Sequence, residues 1–66
     1  MDIQTLTGQT VTLDSAVGNI RRIVVKDLGD IVLVTRTEEF ERAQVAGVEP
    51  LTIGFKKSDI VRIERT

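Results

Sequence analysis

The sequence predicts an all-β fold: a small barrel of five strands with one short α-helix inserted after the third strand. Val, Ile and Leu make up 21 of the 66 residues, and branched aliphatic side chains favour pleated sheet. Short segments that alternate apolar and polar residues are separated by turns containing Gly, Asn or Asp. One run of helix-forming residues, 38–46, interrupts this pattern. The alternative is an α+β arrangement in which the helix packs on an open antiparallel sheet.

A β-hairpin over residues 18–36 is the centre of the predicted fold, and a half-buried strand over 9–14 precedes it. The first arm of the hairpin loses strict alternation at Arg21 and Arg22. This break predicts either a β-bulge at that point or a bent strand that serves two sheets. The turn between the arms contains Gly29, which suits a left-handed backbone conformation.

The second arm of the hairpin carries aliphatic side chains on both faces. Ile31 and Leu33 share one face, and Val32 and Val34 share the other. A strand that is apolar on both faces is typical of a central position, or of an outer face that something covers. The following helix or a second subunit is the expected cover.

The helix is predicted from its capping signals as well as its composition. Thr35 with Glu38 fits a capping box, and Thr37 is a second candidate for the N-cap. Gly47 is a natural C-terminal stop. A helix of about nine residues is too short to be stable alone, so it must dock on the sheet. Phe40 is the predicted anchor of that docking.

The C-terminal third predicts how the sheet ends. Residues 51–56 alternate again, with Leu51, Ile53 and Phe55 predicted to point inward, before a 3₁₀ turn and a last short strand. The segment IGFKKSDIVRI resembles the closing segment of SH3-like small barrels, and the likeness of strand pattern covers about residues 9–64. It is a resemblance to a superfold, without a family motif. Peptide-binding and methylamine-binding barrels of this kind use surface aromatics, which a chain with two Phe and no Tyr or Trp lacks.

Composition narrows the chemistry. We expect one domain over 1–66, because a chain of this length supports a single small core. There is no Cys and no His, so disulfides are absent and we expect no metal site. No catalytic motif, phosphate loop or dinucleotide-binding glycine pattern is present, so we expect neither enzyme activity nor a cofactor. A signal peptide and a long apolar span are also missing, which predicts a cytoplasmic protein without membrane contact.

The charge balance does not favour nonspecific nucleic-acid binding. Nine basic and ten acidic residues leave a net charge of −1, whereas nonspecific nucleic-acid binders carry a basic excess. Basic side chains could nevertheless form a local stripe along the strands, with Arg22, Lys26 and Arg36 on one face. The candidate contacts are Arg21, Arg22, Lys26, Arg36, Lys56 and Lys57.

The function predicted from the sequence is therefore a non-enzymatic protein-interaction module. The aliphatic surplus exceeds what a barrel of this size hides, so we expect self-association, including a homodimer, or binding to a partner chain. Nucleic-acid binding through the basic stripe is the alternative. The candidate partner contacts are Val32, Val34, Phe40 and Arg42.

Overall fold

The computed structural model describes residues 6–64, which form one antiparallel sheet of five strands and one short helix. The elements in chain order are β1 (Thr10–Ser15), β2 (Gly18–Asp27), β3 (Ile31–Thr35), α1 (Thr37–Ala46), β4 (Ile53–Lys56), a single 3₁₀ turn (Lys57–Asp59) and β5 (Ile60–Glu64). The strand order across the sheet is β4-β3-β2-β1-β5. The predicted fold class, five strands with one helix after the third, is confirmed.

The sheet is not closed into a barrel, which corrects the predicted architecture. Across residues 6–64, the strand pairings join β4 only to β3 and β5 only to β1. The 3₁₀ turn connects these two outer strands along the chain, but no ladder of backbone hydrogen bonds joins them in the described part of the protein. In this respect the sheet is the open one that the alternative arrangement assumed.

One face of the sheet carries the hydrophobic core. Cross-strand neighbours point to the same side, so the alternating residues of the three central strands converge on this face. Five aliphatic side chains are almost completely buried there: Val11, Leu13, Val24, Val32 and Val34. Side chains at the margins pack against them while keeping some exposure: Leu6, Ile20, Phe55, Ile60 and Ile63. The core is thus almost entirely aliphatic, as the composition predicted.

The irregularity in β2 lies later in the strand than predicted. The ladder between β1 and β2 passes Arg21–Arg22 without interruption, so a bulge at that point is wrong. The register shifts instead against β3, where Val24 pairs with Val34 and Lys26 pairs with Leu33. Val25, which lies between Val24 and Lys26, is the extra residue of a β-bulge. Because Val34 and Leu33 face opposite sides, the bulge turns Lys26 to the side of the sheet away from the core.

The ends of α1 are set by backbone geometry more than by side-chain caps. Its N-cap is Arg36, without a side-chain capping bond, so neither predicted threonine cap forms. Thr35 is instead a buried residue of β3, only 5% exposed. At the other end Gly47 adopts the left-handed conformation (φ 72°), and the N–H of Val48 donates to the carbonyl of Ala43 at 3.0 Å. This is a Schellman motif, which confirms the predicted helix stop.

Helix α1 packs on the sheet beside β2. It contacts β2, and its one fully buried side chain is Ala43. Phe40 is half-buried and is not among the side chains that pack against the main core, so it is a weaker anchor than predicted. Thr35 alternates with Val34 along β3 and is buried as well. The cover of the second face of β3, by the helix or by a second subunit, stays a prediction, because Ile31 on that face is 44% exposed.

The two outer strands keep much of their apolar surface exposed. Leu51 precedes β4 and is 79% exposed. Ile53 is 65% exposed although it pairs with Val34 on the core face, so neither residue is buried as an inward position implied. In β5 the register against β1 shifts where Val61 is inserted, and this residue lies exposed while Ile60 and Ile63 face inward. Outer strands lack a neighbour on one side, so inward orientation does not bring full burial.

Candidate functional site

The open sheet leaves an apolar groove on its core face, beside β4. The groove has a volume of about 360 Å³. It lies where β3 ends, the helix begins and the chain returns into β4. Its lining consists of Ile20, Arg22, Val34, Thr35, Arg36, Glu39, Leu51, Thr52, Ile53 and Phe55. We call this feature the β4 groove.

The β4 groove is apolar because it is the unclosed margin of the core. Val34 is buried at its floor, and Ile20 and Phe55 also pack against the core cluster. Leu51 and Ile53 extend the same apolar surface outward into solvent. A single exposed aliphatic residue is common on protein surfaces. Leu51 and Ile53 are instead continuous with an apolar groove, so together they form an apolar patch that is exposed to water. Contact with a partner would bury this surface.

Two arginines border the groove. Arg22 pairs with Val11 across the sheet, so it lies on the core face, half-buried, and one guanidinium N–H donates to the carbonyl of Arg21 at 2.7 Å. Arg36 lies at the start of the helix and is exposed. No carboxylate within residues 6–64 forms an ion pair with either guanidinium. Both retain N–H donors for an acidic group.

The one acidic residue of the groove is already engaged. Glu39 accepts two hydrogen bonds from the guanidinium of Arg42, at 2.9 and 2.8 Å, and a third from the backbone N–H of Leu51 at 2.9 Å. These bonds, the Arg42 contact first, lower the pKa of Glu39 from 4.5 to about 2. Its charge is balanced by Arg42, and its bond to Leu51 holds the segment that forms the rim of the groove.

The predicted basic stripe does not form as expected. Arg22 and Arg36 meet at the groove, whereas Arg21 lies on the opposite face of the sheet and is bound to Glu64 at 2.6 Å. Lys26 was predicted to share the face of Arg22, and the β2 bulge places it on the other side. Lys56 alternates with Phe55 and also faces away from the core, and Lys57 is bound to Asp27 at 2.8 Å.

The predicted partner contacts divide between core and surface. Val32 is 0% exposed and Val34 is 1% exposed, which corrects their assignment as contact residues, because a buried side chain offers no surface. Phe40 is a half-buried residue of α1, and Arg42 is exposed but bound to Glu39. The apolar residues that do reach the surface at the groove, Leu51 and Ile53, were predicted to point inward. Their alternation with Phe55 is the same in a closed and an open sheet, so no sequence signal distinguishes the two.

Among residues 6–64 there is neither a metal-ligand cluster nor a helix able to span a membrane. In the range 6–64 no group of three or more acidic side chains is arranged to hold a metal ion. The only α-helix described there is far too short and polar to cross a bilayer. No protein-family model, curated protein or solved structure matches the chain.

Proposed function

We propose that this protein is a non-enzymatic protein-interaction module that binds a partner chain through the β4 groove. The observation that carries the proposal is the continuity of exposed Leu51 and Ile53 with a groove that opens into the core. Apolar surface of this kind is stabilised when a partner removes it from water. At the border of the groove lie two arginines that have no ion-pair partner among the described residues. They offer polar contacts to a partner, and a polar rim of this kind is common at protein interfaces.

The nucleic-acid alternative receives less support from the arrangement of charges. Of the six basic candidates, two are engaged in ion pairs and the others are divided between the two faces of the sheet. Phosphate contacts along a backbone need several cations on one surface. The groove also offers no exposed aromatic ring for base stacking; its Phe55 packs against the core.

Site-specific photocrosslinking tests the proposal. A photoreactive amino acid at position 51 should crosslink to a protein in the cells that make this chain. The same amino acid at position 17 is the matched control, because Val17 is an equally exposed aliphatic residue, 88% accessible, in the β1–β2 turn. The crosslink at position 51 should disappear when Ile53→Asp is added, a change at an exposed site that the fold tolerates.

The outcomes are distinct. A crosslink at position 51 that is absent at position 17 and sensitive to Ile53→Asp supports the β4 groove as the binding surface. Equal crosslinking at the two positions, or a crosslink that persists in Ile53→Asp, contradicts it.

A further inference from the structure

The free edge of β4 lies beside the apolar groove. The edge and the groove together determine which kind of peptide segment can bind there. Within residues 6–64, β4 pairs with β3 alone, so its other edge has no strand neighbour. An unpaired edge offers backbone N–H and C=O groups to any extended chain. The exposure of Ile53, Gly54 and Lys56 is consistent with an accessible edge.

The hydrogen-bond alternation identifies which residues of β4 face that edge. The N–H of Lys57 donates to the carbonyl of Asp30 at 2.8 Å, in register with the β3–β4 ladder. Along an antiparallel ladder every second residue directs its backbone groups to the same neighbour, so Phe55 and Ile53 also point toward β3. Gly54 and Lys56 therefore direct their N–H and C=O groups to the free edge.

We propose, resting on the function proposed above, that the β4 groove binds an extended peptide segment that adds as a sixth strand to the free edge of β4. Ile53 and Phe55 face the groove, so alternate side chains of the added strand lie over the apolar lining. Those side chains are aliphatic where they meet Ile53 and Phe55. One of them is acidic where the segment reaches the guanidinium groups of Arg22 and Arg36.

Charge complementarity is the argument for an acidic partner. Glu39 is neutralised by Arg42, so the β4 groove carries the uncompensated charge of Arg22 and Arg36. A carboxylate forms stronger hydrogen bonds with guanidinium N–H groups than a neutral acceptor does. A basic segment in the same place would meet two like charges. The partner is thus distinguished both by its alternating aliphatic residues and by the sign of its charge.

The same charges argue against a second copy of this chain as the occupant. If two β4 edges paired, each would bring Lys56 and a groove with two arginines toward the other, and like charges across strands are destabilising. The opposite outer strand is no better suited. In β5 the inserted Val61 breaks the regular ladder, and Glu64 is bound to Arg21 of its own chain at 2.6 Å. A bulged edge is a poor template for continuous pairing.

The test uses a displayed library of random nine-residue peptides selected on the full chain, followed by affinity measurements with the synthetic consensus peptide. Lys56→Pro removes one edge-directed N–H. The backbone at Lys56 already has φ −68°, which proline adopts without strain, and the residue before it is extended as proline requires. Lys56→Gln is the matched control, because it removes the charge of the side chain and keeps the N–H.

We expect the selected peptides to carry aliphatic residues at every second position. We also expect an acidic residue on the same face of the strand, an even number of positions away from them. Lys56→Pro should weaken binding about tenfold or more relative to Lys56→Gln, as the loss of an interfacial hydrogen bond does. Arg36→Gln should weaken binding of the acidic peptide about tenfold. It should weaken binding much less for a peptide in which the acidic residue is replaced by the corresponding amide. Unchanged melting temperatures of the variants establish that the fold is retained.

Four results overturn the proposal. Equal affinities for Lys56→Pro and Lys56→Gln exclude strand addition, and selected peptides that are basic exclude the charge argument. Selection of no peptide also contradicts it. None of these affects the crosslink at position 51, which tests the proposed function separately. Peptides that compete with a second copy of this chain identify self-association as the natural use of the groove, and this outcome too contradicts the proposal.

Discussion

Asp27 connects three separate parts of the chain. Its carboxylate accepts hydrogen bonds from the backbone N–H of Leu6 at 3.0 Å and of Gly29 at 3.0 Å, and from the Lys57 ammonium at 2.8 Å. The side chain is only 6% exposed. These contacts, Lys57 first, lower the pKa of Asp27 from 3.8 to about 2. One carboxylate thus joins the segment before β1, the β2–β3 turn and the 3₁₀ turn before β5.

The pH dependence of stability should report this contact. The pKa of Asp27 is lower in the folded protein than in the unfolded chain, so the unfolded state takes up its proton first as the pH falls. The stabilising contribution is complete above pH 3.8 and is lost as the pH falls toward about 2. Asp27→Asn should therefore lower the free energy of unfolding at neutral pH and reduce its decline below pH 4. Urea denaturation between pH 2 and 7 measures both effects.

A matched carboxylate gives the control for that series. Glu49 is exposed and forms no ion pair within residues 6–64. Glu49→Gln should leave the pH profile close to that of the unmodified protein. An Asp27→Asn variant with the same acid dependence as the unmodified protein would show that this carboxylate does not hold the three segments together.

At the scale of single elements, two glycines that look alike in the sequence have different roles. Gly47 ends α1 at φ 72°, a conformation that side chains with a Cβ rarely adopt. Gly54 lies within β4 without a positive φ, and a Cβ there would meet only side-chain atoms of Ile31 and Leu33 at 3.6 Å. That distance is an ordinary van der Waals contact. The first glycine is required by the backbone and the second is not.

Substitution by alanine separates these roles. Gly47→Ala should lower the free energy of unfolding by about 1 kcal/mol or more, because the Schellman turn keeps its left-handed residue. Gly54→Ala should change it by less than about 0.5 kcal/mol. Urea denaturation of both variants makes the comparison, and an equal loss in the two would contradict the geometric distinction.

At the scale of the whole molecule, the open sheet leaves backbone edges that could pair with another chain. Among residues 6–64, the strand order β4-β3-β2-β1-β5 places the two unpaired edges at opposite ends of the sheet. The edge at β4 is regular and lies beside an apolar groove, and the edge at β5 is interrupted by the bulge at Val61. Only the first is suited to add a strand.

We expect this asymmetry to be reflected in the oligomeric state. The sequence left self-association and a partner chain open, and the charges around the β4 groove favour a partner. We expect sedimentation velocity of the purified protein at micromolar concentration to show a monomer. A dimer that dissociates when Leu51 is changed to Asp would instead identify a second copy as the occupant of the groove.

The local elements were predictable from the sequence because they depend on near neighbours. Alternation at Val11 and Leu13 requires only that successive residues point to opposite faces, and the stop at Gly47 requires only a residue that tolerates positive φ. The turn at Gly29, with its φ of 98°, follows the same logic. Such rules act over a few residues, so they remain visible in the chain whatever the tertiary arrangement.

The candidate site depends on contacts between residues that are far apart in the sequence. Rules that act over a few residues do not predict such contacts. Asp27 and Lys57 are thirty residues apart, and the β2 bulge is set by how that strand fits β3 rather than by its own alternation. The bulge separates Lys26 from Arg22, so it removes the predicted stripe. The sequence by itself determined five strands, a helix after the third and an aliphatic core. Only the tertiary structure decided that the sheet stays open, because closure depends on whether two distant edges meet, and the same opening creates the β4 groove.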